Sequence, residues 1–286
     1  MRTLLYTIDA RDGNRRYPEN RGVVEEPADR NYRRRYTVEM KIATWNVNGI
    51  RARQAQLCEW LERDRPDVVC LQELKAELSQ VPEQCKLADY HAYWHCRRAY
   101  SGVSLHIRKG LLDAEPAFSH PEFDMESRIV QSELGKLVLA SVYVPNGGKD
   151  YEAKLSFMTR LAAWAKRLHQ EGRELVLCGD MNITRTEMDV HPKERKPGII
   201  GQRPEERELF EALLGEHLVD VGRALDPDNP GLFTWWAPWR NMRQRNIGWR
   251  LDYILASPAV AAGAASCVVL ADFGTSDHAP VMMTTA

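Results

Sequence analysis

From Met40 onward, short apolar runs alternate with helix-length amphipathic stretches, and no other feature of the chain restricts its fold so tightly. Lys41-Ile-Ala-Thr-Trp45 reads as a strand. Gln54 to Arg63 then places Leu57, Trp60 and Leu61 on one helical face, and Asp67-Val-Val-Cys-Leu71 returns as a strand ending at Gln72-Glu73. A second set follows. It has a strand over Leu137 to Val144, a helix over Tyr151 to Gln170 carrying Leu155, Met158, Leu161, Ala165 and Leu168, and a strand over Leu175 to Cys178 ending at Gly179-Asp180. Two βαβ-like units of this kind predict a layered α/β fold with sheets buried between helices.

Polar residues stand where the apolar strands stop: Asn46 and Asn48, Glu73, Asp180 and Asn182, Asp252 beside Leu251 and Tyr253, and Asp277-His278 before Ala279-Pro280-Val281. Strand ends in layered sheets converge on one edge, where α/β folds bind ligands. Each residue alone has a dull explanation. Glu73 suits a surface strand end, Asp180 suits the cap of a helix starting near Met181, and His278 suits a satisfied core histidine. Together they form a cluster of carboxylates, amides and one imidazole. Hard divalent cations take such oxygen ligands, and phosphodiester hydrolysis needs a positioned water beside neutral or cationic donors.

Residues 1–39 are polar, mixed in charge (Arg15-Arg16, Glu25-Glu26, Arg33-Arg34-Arg35) and without hydrophobic periodicity, the pattern of a poorly ordered extension. Residues 40–286 are expected to form one domain. With 39 basic and 40 acidic side chains, global charge does not draw the protein to nucleic acid, so any such binding is local. Six cysteines without a C-x-x-C pair signal neither a zinc site nor a disulfide framework. No apolar run approaches the roughly 18 residues of a membrane span, so a cytoplasmic, nucleoid-associated protein is expected.

Six segments carry a resemblance in their order and spacing: Lys41-Ile-Ala-Thr-Trp-Asn-Val-Asn-Gly-Ile-Arg-Ala-Arg53, Leu71-Gln-Glu-Leu-Lys75, Val142-Tyr-Val-Pro-Asn-Gly147, Cys178-Gly-Asp-Met-Asn-Ile183, Gly248-Trp-Arg-Leu-Asp-Tyr-Ile254 and Thr275-Ser-Asp-His-Ala-Pro280. The chain resembles the exonuclease III and apurinic/apyrimidinic endonuclease family of the endonuclease/exonuclease/phosphatase superfamily. The resemblance spans nearly all of Met40 to the C terminus. It implies a four-layer α/β sandwich, with two mixed β-sheets packed face to face between helices. It further implies a metal-dependent phosphodiesterase that cuts duplex DNA on the 5′ side of abasic sites and leaves a 3′-hydroxyl, with 3′→5′ exonuclease and 3′-end trimming as companion activities in base excision repair.

Carried over residue by residue, the resemblance makes Glu73 the principal Mg²⁺ or Mn²⁺ ligand, with Asn48 and Asp277 nearby. Asp180 orients or deprotonates water, while Asn46 and Asn182 hold phosphate oxygens through amides, where a carboxylate would repel them. His278, oriented by Asp252, donates to the phosphate or acts as base. Tyr143 stabilises phosphate or the leaving oxygen, and Lys75 adds positive charge. Trp235, Trp249 and Leu251 wall a pocket for an extruded sugar without a base, which costs least to flip because pairing is already lost.

Trp239 and Arg240 fall where family members differ, and a bulky, cationic pair suits a wedge into the duplex. Lys193, Arg195, Lys196 and Arg203, with Arg51, Arg53, Arg243 and Arg245, are the candidate phosphate track. Glu126-Ser127-Arg128 replaces the family's Glu-Gly-Arg. The expected partner is double-stranded DNA with abasic or damaged 3′ ends, bound by a monomer because a duplex must reach one open face. Two other readings compete: a superfamily phosphatase or phosphodiesterase on lipid, inositol or RNA substrates, and a catalytically silent DNA-binding module. The dense tryptophans speak against the first and the intact polar set against the second.

Overall fold

The computed structural model describes residues 39–96 and 100–286. The extension expected over residues 1–39, including the Arg33-Arg34-Arg35 cluster, lies outside the described residues except for Glu39. From there the described chain falls in one compact unit.

Chain order begins β1 (Lys41–Asn46), α1 (Ile50–Asp64), β2 (Val68–Gln72), β3 (Tyr90–His95) and β4 (Val103–Arg108). It continues through β5 (Phe118–Ser119), β6 (Ile129–Leu134), β7 (Leu137–Tyr143), α2 (Tyr151–Gln170), β8 (Glu174–Asp180), α3 (Pro204–Gly215) and β9 (Val219–Asp220). The strands end with β10 (Asp252–Ala256), β11 (Ala264–Val269) and β12 (Val281–Thr285). One six-stranded sheet has the order β11-β12-β1-β2-β4-β3, and the other β5-β6-β7-β8-β10-β9. Both are mixed. β1 pairs parallel to β2 and β7 parallel to β8, and the remaining pairings are antiparallel.

Alternation along the strands builds the layers. Ile42, Val68, Cys70, Leu105 and Met283 join Val130, Leu139, Val176, Cys178 and Ile254 in a core between the sheets. Their neighbours Ala43, Trp45, Val69 and Leu71 turn outward onto Leu57, Trp60 and Leu61 of α1. On the other side, Val138, Ala140, Leu175 and Leu177 pack on Met158, Leu161 and Trp164 of α2 and Phe210 of α3. The central strands β1, β2, β7, β8 and β10 are therefore covered on both faces, which is why they read as continuous apolar runs. The expected four layers are present.

The second helix spans the expected residues, started by the Asp150 carboxylate, which accepts from Ala153 N at 2.9 Å. Leu155 is only half-buried, and Lys154 is enclosed instead. The first helix begins at Ile50, one turn before the expected Gln54. No side chain caps it. Its entry is fixed by long-range backbone pairing, Gly49 N donating to Glu73 O at 2.8 Å and Ile50 N to Leu74 O at 3.0 Å, which local sequence does not announce. No helix among the described residues is long and apolar enough to cross a membrane.

Candidate active site

Register alone brings three predicted residues into a row. Tyr143 at the end of β7 pairs with Asp180 at the end of β8, and Asp180 pairs with Asp252 at the start of β10. Gly179 makes the row possible: a Cβ there would lie 1.9 Å from the Val142 carbonyl oxygen, so only glycine lets β7 approach. No helix starts at Met181, and Asp180 is not a helix cap.

The opposite sheet supplies the rest. Asn46 ends β1, and its Nδ2 donates to Asp180 Oδ2 at 2.9 Å while lying 3.3 Å from His278 Nε2. His278 Nδ1 sits 2.8 Å from Asp252 Oδ2, and its Nε2 3.8 Å from Asp180 Oδ2. Asn182 N donates to Asp180 Oδ1 at 2.8 Å, and its Nδ2 reaches Val144 O at 2.9 Å. Asp180, Asp252 and His278 are 1%, 1% and 5% exposed, so this half of the site is nearly dry.

Across from it, Glu73 accepts from Tyr143 Oη and pairs with Lys75 Nζ at 2.6 Å. Lys75 also donates to Asn48 Oδ1 at 2.6 Å, and Asn48 Nδ2 donates to Asp277 Oδ1 at 2.6 Å. Asn48, Glu73, Lys75 and Asn182 all hold positive φ between 44° and 51°. Non-glycine residues rarely adopt that conformation, and such backbone persists where surrounding contacts over-determine it, often at functional sites.

The charges explain the ionisation. Burial alone would lower His278, but Asp252, Asp180 and Asp277 outweigh it and raise it to about 10. Burial, with Asp252 and Glu73, pushes Asp180 up to about 7, against the pull of His278. Burial also acts upward on Glu73, yet Lys75, Tyr143 and His278 hold it below the usual carboxylate range. Asp277 is likewise held low, because His278, Trp235 and Asn48 outweigh its burial.

Four carboxylates thus face two cations, His278 and Lys75, and a divalent cation fits the imbalance. The fit is local as well. The Lys75 ammonium bridges Glu73 and the Asn48 carbonyl oxygen, so a cation is already favoured between those atoms. Glu73, Asn48 and Asp277 offer oxygen donors of the kind Mg²⁺ and Mn²⁺ accept. Ligand atoms of Asp180, Asp252 and His278 also gather within 4.8 Å of one another.

Beside this centre, Trp235 and Trp249 meet edge to face, their centroids 5.4 Å apart. Their backbones exchange hydrogen bonds of 2.9 Å, and Trp235 Nε1 donates to Asp277 Oδ2 at 2.9 Å, locking the aromatic pair to the charged cluster. Gly248 permits this, since a Cβ there would fall 2.5 Å from Trp235 O. Leu251 is buried, its backbone N donating to Thr234 Oγ1 at 2.9 Å. Trp236 is core, with Nε1 donating to Asn246 Oδ1. Trp239 is 59% exposed, and Arg240 and Arg51 are exposed too.

Two members of the expected phosphate track are spent on structure. Arg243 donates to the carbonyls of Ala271, Phe273, Gly274 and Ser276 and lies over the Trp236 ring. Arg53 donates to Asn48 O and Thr275 O. Lys193, Lys196 and Arg245 remain exposed. Sequence reasoning also missed supporting groups. Arg128 lies 5.0 Å from the Tyr143 ring centroid, Thr234 Oγ1 accepts from Asp252 N at 3.0 Å, and Ser276 Oγ donates to Asn46 O at 2.7 Å. Serine, threonine and arginine in loops carry no signal of such long-range partners.

Comparison with known proteins identifies the family. A family model described as "Endonuclease/Exonuclease/phosphatase family" matches residues 43–278. The chain is 34% identical to "Recombination repair protein 1" of Drosophila melanogaster over 268 residues, covering 89% of this chain but only 37% of that longer protein. It is 32% identical to "Exodeoxyribonuclease" of Bacillus subtilis over 249 residues, 85% of this chain and 98% of the relative. A solved structure of an AP endonuclease from Archaeoglobus fulgidus superposes with a TM-score of 0.78 at 28% identity, over 86% of this chain and 99% of that one.

Proposed function

The chain belongs to the endonuclease/exonuclease/phosphatase family, in its exonuclease III and AP endonuclease branch, and from that premise we propose that it hydrolyses duplex DNA on the 5′ side of abasic sites. The observation that carries the reading is the single rim on which Asn46, Asp180, Asp252 and His278 meet Glu73, Asn48 and Asp277, with Trp235 bonded to Asp277 at its edge. The catalytic domain comprises residues 40–286 and acts as a monomer on DNA.

Glu73, Asn48 and Asp277 would hold Mg²⁺ or Mn²⁺. When bound, the cation supplies positive charge that offsets the phosphate and the charge growing on the leaving oxygen. Asp180, with a pKa near neutrality, takes a proton from the attacking water. Asn182 shares the Asp180 carboxylate through its backbone N–H, and the Asn46 and Asn182 amides steady non-bridging oxygens without adding negative charge. The His278 imidazolium, oriented by Asp252, donates to the phosphate. Water adds to phosphorus as the bond to the 3′ oxygen breaks, and that oxygen leaves beside Tyr143 and takes up a proton from solvent to become the 3′-hydroxyl. Trp235, Trp249 and Leu251 enclose the extruded sugar, which costs little to flip where no base is paired. Trp239 or Arg240 enters the duplex at the gap, and the same centre trims recessed 3′ ends.

The test is an incision assay on a fluorescent duplex carrying one tetrahydrofuran abasic analogue, run against matched and recessed duplexes. Cleavage 5′ to the analogue in Mg²⁺ or Mn²⁺, abolished by EDTA, is expected. Binding without incision in either metal would instead favour a silent DNA-binding module. Trp239→Ala is expected to weaken abasic incision in the same assay, and parental cutting by that variant removes the wedge.

A further inference from the structure

Among the described residues no lysine but Lys154 is buried. Its side chain and that of its partner Glu206 are both wholly enclosed, with 2.5 Å between Nζ and Oε1. Beside that ion pair, the ammonium donates to the Asn182 backbone carbonyl at 2.8 Å and to the Asn146 backbone carbonyl at 3.3 Å. Glu206 Oε2 accepts in turn from Gly201 N at 2.7 Å and Arg203 N at 3.1 Å. Gly201 O then receives the Thr184 N–H and hydroxyl, both at 2.8 Å. The turn after β7 rests on the lysine stem as well, since a Cβ on Gly147 would lie 2.9 Å from Lys154 Cδ.

Stability does not account for this pair. Replacing a buried ion pair by apolar residues of similar volume is often neutral or stabilising. Its end points are more telling. Asn182 sits at φ 50°, a conformation that needs support, and its carbonyl is what Lys154 grips. Its side chain meanwhile contacts Asp180 and Asn146.

We infer that Lys154, held by Glu206, is a positioning residue: it fixes the Asn182 peptide, and through it the direction in which the Asn182 amide meets Asp180 and the incoming phosphate. The inference rests on the proposed phosphodiester hydrolysis. It reaches the chemistry from α2 and α3, elements remote from the row of site residues.

The experiment compares the parent with the double variant Lys154→Met/Glu206→Met, which removes both charges together and leaves neither unpaired. Three quantities are measured: the thermal midpoint, the Kd for the tetrahydrofuran duplex in EDTA, and the single-turnover incision rate in Mg²⁺. A rate lowered by about 10- to 100-fold, with the midpoint and Kd close to parental, is expected. A folded double variant that cuts at the parental rate overturns the inference. If the double variant does not fold, Glu206→Gln carries the same test, because it keeps the shape and one of the two acceptor oxygens while removing the charge that anchors Lys154. A parental rate there overturns the inference equally. A parent protein that incises no DNA would refute the proposed function instead, so the two failures are separable.

Discussion

His106 and His278 are both buried, yet their surroundings drive them in opposite directions. His106 lies within β4, with the Ser104 hydroxyl oxygen 2.8 Å from Nε2 and the Trp94 ring edge-on at 4.7 Å. Burial is the cause acting on it and pushes it down to about 3. His278 feels the same burial, but Asp252, Asp180 and Asp277 reverse its effect and raise it to about 10. The first histidine is an aromatic core residue that stays neutral. The second carries a proton in a nearly dry place. The contrast locates catalytic chemistry where charge has been gathered at the cost of desolvation, rather than wherever a titratable residue is buried.

That comparison can be broken most severely at Asp252. Asp252→Asn removes the carboxylate beside His278 Nδ1 and is expected to lower the single-turnover incision rate by about 1,000-fold or more. The His278 ring signals should then titrate nearer the ordinary histidine range by NMR. A variant with parental rate would mean that the dry half of the site does not work through the imidazolium. Glu73→Gln acts on the wetter half, where Lys75 already shows a cation to be favoured. Its loss is expected to be smaller, on the order of 100-fold at low Mg²⁺, and to shrink as Mg²⁺ is raised. The Asp252→Asn loss should not respond to added metal, so a Mg²⁺ titration of both variants separates the two halves.

The smallest effect concerns stability at His106. Its folded pKa, about 3, lies below the ordinary unfolded value, so the unfolded chain binds the proton first as pH falls. Its contribution to stability is complete above about pH 6.5 and is lost progressively from there toward pH 3. His106→Gln should therefore flatten the dependence of unfolding free energy on pH between about 6 and 4 by roughly 1.4 kcal/mol per pH unit. Denaturant melts across that range measure it, and an unchanged slope would show that His106 is protonated in the fold. His278 has the opposite sign: its raised pKa contributes stability that is complete below about pH 6.5 and fades as pH rises through about 10.

Much of the site was legible because its residues stop strands. Asn46, Asp180 and Asp252 each interrupt an apolar run, and strand ends share an edge once sheets form. The bounds of α2 were legible because Asp150 is a local cap. The start of α1 was not, because Gly49 and Ile50 are placed by the backbone of Glu73 and Leu74. Lys154 stayed hidden behind its polarity. A lysine at a buried helical position looks like surface until Glu206 is seen opposite, 52 residues on in sequence. Arg243 misled in the other direction, since nothing local distinguishes an arginine bound to four carbonyls from one facing phosphate.

By itself the sequence determined the layered α/β class, the two repeated strand-helix-strand units and the inventory of oxygen and nitrogen donors at their ends. Those depend on hydrophobic periodicity and residue chemistry, which are properties of short segments. Only the tertiary structure decided which donors face one another, which histidine is charged and which buried lysine supports the centre. Such outcomes depend on distances and desolvation between residues far apart in the chain, and no local pattern encodes them.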